Sequence, residues 1–287
     1  MSTEAASVIL SKKLEDGSTD GEVLELLRLA PLRRPEVVLS MRKEWRGGRD
    51  QKKLRFWDKL EQAAFAALDR ASFDDMDWAT RKIFSTFGSS WRLNRLIGMK
   101  REAIGDNEES MVVYENMLEK DPNNRAALKR QVTVLRTSGK LSEATAHLCW
   151  YLKIYLSDVD AWCELADLYI SAGSYPQAIY CYNEALLYEK SNWALYLRLG
   201  DVYYTLSDEN SMLTARHYYS KSLTLNSKHN VRAMYGLLMS SQALESGSRA
   251  QELKNKNLKN WVQEALKTVY KVLRGLRKKK KKKLAFD

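Results

Sequence analysis

The chain has 287 residues, with 47 basic and 36 acidic side chains and a formal net charge of +11. Its hydrophobic content of 45% is enough for a continuous core, but no stretch approaches the roughly 18 consecutive apolar residues of a membrane-spanning helix. The short apolar run near the N-terminus lacks a basic flank and the three cysteines lack CxxC spacing, so we predict no signal peptide, no membrane span and reduced, packed thiols.

The first part of the chain contains three predicted segments. Residues 1–21 have no helical pattern and are predicted to be disordered, and residues 22–56 are predicted to form short capping helices. Residues 57–90 are predicted to form a helix pair. The first helix, Trp57–Leu68, places apolar residues at helical spacing, and we expect Asp77–Phe87 to be its partner.

The strongest pattern of the chain lies in residues 159–190. A first helix carries a tryptophan, a leucine, a small residue and a tyrosine on one face, and a second helix carries two alanines and a tyrosine. These positions are Trp162, Leu165, Ala166, Tyr169, Ala178, Tyr182 and Ala185. Gly173 and Ser174 interrupt the chain between the helices, and Pro176 suits the first turn of the second helix. This is the 34-residue, two-helix pattern of the tetratricopeptide repeat (TPR).

The pattern recurs at 34-residue intervals, which makes four TPR units over residues 91–228. The first-helix positions recur as Asn94, Ile97, Gly98 and Arg101, as Leu128, Gln131, Val132 and Leu135, and as Tyr196, Leu199, Gly200 and Tyr203. In the fourth unit the second helix arrives three residues late, after a longer turn at residues 207–210. The sequence therefore predicts an all-α fold, a TPR α-solenoid of antiparallel helix pairs with helical caps, preceded by a degenerate pair at residues 57–90.

Residues 229–276 are predicted to form an incomplete repeat and a long C-terminal capping helix, because an exposed solenoid end must be covered. The apolar stripe of this helix also fits an amphipathic helix lying on an anionic membrane. Residues 277–287 begin with seven consecutive basic residues and are predicted to be a polybasic, disordered tail. The tail by itself leaves RNA binding, nuclear import and weak contact with acidic lipid head groups open.

The chain contains no motif for catalysis or for a cofactor. His147 and Cys149 are two residues apart on a predicted helix and point in different directions, which makes them a poor metal pair. Glu108 and Glu109 begin a predicted helix, where carboxylates favour the positive end of the helix dipole. We therefore predict a protein that is not an enzyme and that has no cofactor and no metal site.

A TPR array is expected to bind partners through its concave surface, which the first helices line. The predicted groove is basic toward its N-terminal end and acidic, with apolar patches, toward its C-terminal end, so we expect a partner segment of opposite polarity. The predicted peptide-facing residues are Arg95, Lys129, Arg136, Asp167, Asp201 and Tyr204. Reversal of Asp167 and Asp201 to lysine is predicted to release the partner without unfolding the array.

An alternative function is that of a TPR co-chaperone adaptor, which grips an acidic chaperone C-terminal tail with a clamp of Lys, Asn and Arg. Lys129 stands at a clamp-like position, but Thr133 stands where the clamp requires Asn, and Asp167 and Asp201 would repel an acidic peptide. A third function is nucleic-acid binding through the polybasic tail. No RNA-recognition signature or aromatic platform accompanies the tail, so no nucleic-acid partner is expected.

Four segments carry a resemblance to a known family: Arg95–Ala103, Asp121–Ala127, Ala161–Ile170 and Arg232–Leu237. Together they resemble subunit 2 of the endoplasmic reticulum (ER) membrane protein complex, a family formerly called TPR protein 35. The likeness covers about Leu60 to Leu244. The segment 1–50 and the polylysine tail depart from the family pattern and inherit nothing from it.

The resemblance implies a scaffold without catalytic residues in a membrane-embedded insertase. In that family the complex inserts transmembrane helices, including tail anchors and N-terminal segments of multipass proteins. The solenoid is expected to hold the cytosolic parts of subunits 3 and 5 and the soluble subunit 8 or 9. By this resemblance we expect a peripheral protein on the cytoplasmic face of the ER membrane.

Overall fold

The computed structural model of the chain describes residues 39, 54–227, 230–244 and 257–271. The part of the chain so described is helical and contains no strand. Its helices are α1 (Leu54–Asp69), α2 (Phe73–Phe87), α3 (Trp91–Ile104), α4 (Asn107–Lys120), α5 (Arg125–Thr137), α6 (Leu141–Ile154), α7 (Val159–Ser171), α8 (Tyr175–Tyr188), α9 (Trp193–Leu206), α10 (Glu209–Leu225), α11 (Val231–Ala243) and α12 (residues 257–271).

Several predicted segments lie outside the described residues. These are the N-terminal segment 1–21, nearly all of the predicted capping helices 22–56 and the polybasic tail 277–287. Of the predicted long C-terminal helix, only the central part, α12, is described.

The partner helix of the N-terminal pair begins earlier than predicted. α2 starts at Phe73 instead of Asp77, so it is one turn longer. Asp74 and Asp75 lie in this added first turn, where their carboxylates favour the positive end of the helix dipole. The Ser72 hydroxyl donates a hydrogen bond of 2.8 Å to the Asp75 carboxylate. The added turn also contains Phe73 and Met76, and Met76 is fully buried in the core.

The first helix of each clear repeat begins at a capping side chain. Ser90, Asn124, Asp158 and Asn192 are spaced by one repeat length and directly precede α3, α5, α7 and α9. In each case a side-chain oxygen accepts a hydrogen bond from a backbone N–H of the first turn. Such a bond satisfies an N–H that the helix itself leaves without an acceptor. The repeat length is therefore set at the helix starts as well as in the core.

The turn between the two helices of a repeat uses left-handed backbone. Gly105, Gly139 and Gly173 have φ values of 91°, 75° and 73° and occupy the same position in three successive repeats. The next position in this series is Ser207, which has a φ of 64°. Left-handed backbone brings the Cβ of an L-residue close to the following carbonyl, a contact that glycine avoids. The fourth repeat therefore makes the same turn with a less suitable residue, where its three extra residues are inserted.

The chain divides into two compact units, residues 1–147 and 148–287, with the boundary inside α6. In the first unit α1 packs against α2, α3 against α4, and α4 against α5. Leu60, Met76 and Leu96 are fully buried in the core around α1, α2 and α3. Tyr114 and Met117 of α4 form a second core cluster with residues of α5.

In the second unit α7 packs against α8, α9 against α10, and α10 against α11. The core at its end joins Tyr219 and Leu223 of α10 to Leu237 of α11. Val262 and Leu266 of α12 are buried against the same cluster. The described part of the C-terminal helix thus covers an apolar surface that α10 and α11 present.

Close approach of helices depends on glycine at the tyrosine contacts. A Cβ at Gly200 of α9 would lie 2.8 Å from the ring of Tyr219, and a Cβ at Gly236 of α11 would lie 2.5 Å from the same ring. In the first unit a Cβ at Gly98 would lie 2.5 Å from the ring of Tyr114. Contacts this short do not occur between real side chains, so the helices would have to separate.

Ser207, in the turn of the fourth repeat, provides a test of the role of left-handed backbone in these turns. We expect Ser207→Gly to raise the free energy of unfolding by about 0.5–1 kcal/mol, because glycine relieves the left-handed strain. The substitution gives up one hydrogen bond of 3.3 Å from the Ser207 hydroxyl to the Thr205 carbonyl, which is exposed. Urea unfolding followed by circular dichroism measures the change.

The matched control is the reverse substitution at the equivalent position, Gly173→Ser. We expect this variant to be less stable than the natural chain by a similar or larger amount. If both variants change stability in the same direction, the conformational account of these turns is wrong.

Candidate protein-binding face

The charged side chains of the first helices form triads with residues of two other helices. In each triad a carboxylate on a first helix accepts a hydrogen bond from a tyrosine on the second helix of the same repeat. The same carboxylate pairs with an arginine on the first helix of the following repeat. We call these sets the tyrosine–carboxylate–arginine triads.

The first triad lies in the first unit and is centred on Glu102 of α3. The Tyr114 hydroxyl donates to Glu102 Oε1 at 2.5 Å, and Arg130 Nη1 of α5 donates to Glu102 Oε2 at 3.2 Å. Tyr114 is fully buried, and the side chain of Glu102 is only 14% exposed. The carboxylate therefore joins three helices and is largely withdrawn from solvent.

The other two triads lie in the second unit. The Tyr182 hydroxyl donates to Asp167 Oδ1 at 2.9 Å, and Arg198 Nη1 of α9 lies 3.7 Å from the same oxygen. One repeat later, the Tyr219 hydroxyl donates to Asp201 Oδ1 at 2.9 Å. Arg232 Nη2 of α11 lies 2.9 Å from Asp201 Oδ2.

The spacing of the triads follows the repeat. Asp167 and Asp201 are one repeat length apart, as are Arg198 and Arg232, so each arginine follows its aspartate at the same interval. In the first unit Met99 stands at the position equivalent to Asp167, and the carboxylate comes instead from a glutamate one helical turn later. The triad thus occurs in three of the four clear repeats, and in the second repeat Thr133 and Leu148 stand at the carboxylate and tyrosine positions.

Burial keeps the triad tyrosines protonated. It raises the pKa of Tyr114, Tyr182 and Tyr219 well above the ordinary tyrosine value, and the neighbouring carboxylate raises it further. A protonated hydroxyl is the only form that can donate to the carboxylate. The hydroxyls therefore act as fixed donors that orient the acidic side chains.

Arginines of α3 make a related contact to α1. Arg95 Nη2 donates to Glu61 Oε1 at 2.6 Å, and Arg92 donates to the other oxygen of Glu61. The Arg95 guanidinium also lies 5.4 Å from the ring centre of Phe65 and 5.8 Å from that of Trp91. These contacts hold Arg95 half-buried against the first-unit core.

The six peptide-facing residues that were predicted from the sequence differ from one another in their contacts and exposure. Arg95, Asp167 and Asp201 all have intramolecular charged partners. Tyr204 is half-buried and packs against the core cluster of α10, α11 and α12. Lys129 is half-buried and Arg136 is exposed, both on α5. Three of these residues lie in the first unit and three in the second.

The triad partners were missed by the sequence reasoning. The repeat pattern identifies the tyrosines only as apolar positions and assigns no role to Arg198 or Arg232. A usable signal was present, because an aspartate followed by an arginine at the same interval occurs in two successive repeats. One consequence is that reversal of Asp167 or Asp201 to lysine would also remove a hydrogen-bond acceptor from a buried tyrosine.

Histidine, cysteine and acidic side chains are spread over the described residues. No group of three or more His, Cys, Asp or Glu side chains could hold a metal ion within them. Burial raises the pKa of Cys163 to about 11 and that of Cys181 to about 12, so both thiols stay protonated and weakly nucleophilic near neutral pH. No helix in the described ranges is both long enough and apolar enough to cross a bilayer.

Comparison with known proteins places these features in a family context. Residues 75–223 match the family model described as the EMC2 TPR-like repeat domain. The ER membrane protein complex subunit 2-A of Xenopus laevis is 34% identical over 217 residues, which cover 75% of this chain and 73% of that protein. The ER membrane protein complex subunit 2 of Dictyostelium discoideum is 32% identical over 227 residues, with 75% and 70% coverage.

Solved structures support the fold alone. The C-terminal part of a TPR repeat-containing protein from Cytophaga hutchinsonii matches with a TM-score of 0.58 at 11% identity, covering 93% of this chain and 95% of that one. Together with the helix pairs described above, this confirms the predicted all-α TPR fold class.

The triads can be tested through their pH dependence. We expect Tyr182→Phe to lower the free energy of unfolding by about 1 kcal/mol at neutral pH, through loss of the hydrogen bond to Asp167. In the natural chain the raised pKa of Tyr182 stabilises the folded state. This stabilisation is complete only below about pH 10. Above that pH the unfolded chain releases the proton while the folded chain keeps it, so stability falls.

The measurement is the thermal unfolding midpoint between neutral pH and about pH 11. We expect the decline above about pH 10 to be shallower in Tyr182→Phe than in the natural chain. Tyr188→Phe, at a tyrosine that is 46% exposed, serves as the control. Equal slopes for the two variants would contradict the assigned role of Tyr182.

Proposed function

The chain belongs to the family of ER membrane protein complex subunit 2, and from this premise we propose that it is a non-catalytic scaffold subunit of that complex. Family membership is the observation that carries the proposal. The TPR helix pairs support it, because stacked helix pairs offer extended surfaces for binding other proteins. The triads support it further, since their buried tyrosines hold charged side chains in fixed positions on those surfaces.

The proposed partners are other subunits of the complex. The chain holds the cytosolic parts of subunits 3 and 5 and contacts the soluble subunit 8 or 9, on the cytoplasmic face of the ER membrane. Its contribution to the insertion of tail-anchored and multipass proteins is assembly: it fixes the membrane subunits relative to one another. This is the role that the resemblance to the family implies.

The proposed peptide-facing residues are the six that were predicted from the sequence. Among them Asp167 keeps 46% of its side chain exposed although Tyr182 and Arg198 contact it. Asp201 is 24% exposed. A carboxylate that is already oriented by a hydrogen bond loses little further freedom when a partner binds, which favours affinity. In the first unit Arg136 is the most accessible of the proposed residues.

The scaffold proposal predicts the composition of a purified complex. A tagged copy of the chain, purified from membranes solubilised in mild detergent, is expected to bring several ER membrane proteins with it in stoichiometric amounts. Mass spectrometry of the purified material identifies them. Recovery of cytosolic chaperones alone would contradict the scaffold function and favour a co-chaperone adaptor.

The role of the two aspartates is tested with asparagine rather than lysine. Asparagine keeps an oxygen that can accept from Tyr182 or Tyr219 and removes only the charge. We expect Asp167→Asn combined with Asp201→Asn to weaken partner binding about tenfold, since loss of a partly buried charge contact costs more than about 1 kcal/mol. Recovery of the other subunits per mole of tagged chain measures the effect.

The control variant combines Glu119→Gln with Glu143→Gln, which neutralise two exposed carboxylates on second helices. It carries the same change of net charge and is expected to recover the partners as the natural chain does. Circular dichroism should show equal helicity in all three chains. Equal partner recovery from the two double variants would show that the aspartates do not face a partner.

A further inference from the structure

An apolar pocket of about 440 Å³ lies in the second unit between α6 and α8. Trp162 and Tyr169 of α7 line it, with Cys181 of α8 beside them. Leu156 and Tyr180 at its edge are 53% and 58% exposed, so the pocket opens to solvent. None of the six proposed peptide-facing residues contributes to its lining.

The next repeat has the same aromatic framework. Tyr196 and Tyr203 of α9 occupy the positions that Trp162 and Tyr169 occupy one repeat earlier. The second helix of this repeat begins three residues later than the second helix of the preceding repeat. Equivalent residues of α8 and α10 are therefore matched after this three-residue insertion is taken into account. Ala178 and Tyr182 of α8 thus correspond to Ala215 and Tyr219 of α10, and Cys181 corresponds to Tyr218.

Tyr218 occupies the space between the two tyrosines of α9. Its ring stacks on that of Tyr203 with centroids 5.5 Å apart and an angle of 17° between the planes. Its centroid also lies 6.3 Å from that of Tyr196. Aromatic rings at such distances attract one another beyond the effect of their buried area. One repeat earlier, the equivalent residue is a cysteine, whose small side chain cannot fill the space.

Contacts among the lining residues fix the positions of the pocket walls. The Trp162 Nε1–H donates to the Leu156 carbonyl at 2.8 Å, which fixes the indole at one side of the pocket. Tyr180 meets the same indole edge-on, at 6.3 Å between centroids. The Tyr169 hydroxyl lies 3.7 Å from Cys149 Sγ. A fixed, apolar cavity of this size is typical of binding sites that need little rearrangement.

We propose that this pocket docks a partner protein segment that inserts one aromatic side chain between Trp162 and Tyr169, in the place that Tyr218 fills one repeat later. Lys153 is the only charged residue in the described lining, so the segment carries a carboxylate next to its aromatic residue. The inference rests on the scaffold function proposed above. It adds a second docking site, which the predicted peptide-facing residues do not include.

Site-specific photo-cross-linking tests the proposal. Benzoylphenylalanine is placed at Gln177, an exposed residue at the pocket, in the full chain, and the assembled complex is purified from detergent-solubilised membranes before irradiation. We expect a cross-link to another subunit, within a few residues of an aromatic side chain that has an acidic neighbour. A cross-link to this chain itself, or none to any protein, overturns the proposal.

The decisive variant fills the pocket with a side chain of this chain itself. Cys181→Tyr supplies the ring that the next repeat carries naturally, and we expect it to reduce the cross-link yield about tenfold, because it removes the space for an anchoring side chain. Cys181→Ser keeps the space and is expected to leave the yield within about twofold of that of the natural chain. An unchanged yield in Cys181→Tyr overturns the proposal.

A second pair of variants changes an exposed residue of the pocket lining and leaves the protein interior unchanged. Lys153 is exposed, so its replacement should not affect folding. Lys153→Glu is expected to reduce the yield several-fold and Lys153→Arg to preserve it. If Cys181→Tyr lowers the unfolding midpoint, this pair decides the outcome, and equal yields from the two variants overturn the proposal.

The two proposals fail in different ways. If the purified chain brings no other subunit of the complex, the scaffold function is wrong. If the other subunits are recovered but Gln177 gives no aromatic-containing cross-link, the scaffold function stands and the pocket is not a docking site.

Discussion

The packing of a tyrosine on the second helix of a repeat against a first helix is the interaction on which the rest of the structure depends. The Tyr219 ring lies against Gly200 and Gly236, on two different first helices, so a single side chain sets the distance between three helices. Its hydroxyl then reaches Asp201 at the surface. One residue type thus provides core packing and orients a charge on the face that is proposed to bind partners. Tyr114 does the same in the first unit, where it lies against Gly98 and donates to Glu102.

This arrangement changes how the charged face should be interpreted. A row of aspartates and arginines along the first helices looks like a set of independent binding groups in the sequence. In the structure these groups pair with one another across successive repeats, at 2.9 Å for Arg232 with Asp201 and 3.7 Å for Arg198 with Asp167. Exposed pairs of this kind contribute little to stability, but they neutralise each other's field. Under the proposed function, recognition at this face would therefore depend on shape and on oriented oxygens as well as on net polarity.

The internal repeats allow equivalent positions within the same molecule to be compared. Two consecutive repeats place aromatic residues at equivalent positions of their first helices, and only one of them also carries an aromatic residue at the matching position of the second helix. The filled repeat therefore served as the guide to the side chain proposed to enter the pocket. The apolar pocket of the repeat that lacks this ring opens to solvent beside Leu156 and Tyr180. This contrast between the two repeats supports the proposal that a side chain of a partner protein completes the packing in the pocket.

Local patterns in the sequence were enough to predict the all-α TPR fold class. This is so because the apolar spacing recurs once per repeat. The start of α2 differs from the prediction because its first turn mixes apolar Phe73 and Met76 with Asp74 and Asp75, and Met76 is recognised as a core residue only once it packs against α1 and α3. Which charges are already paired, and which aromatic space is empty, became clear only from the packed helices. Those outcomes depend on side chains that belong to different helices, and their distances are set only when the helices pack.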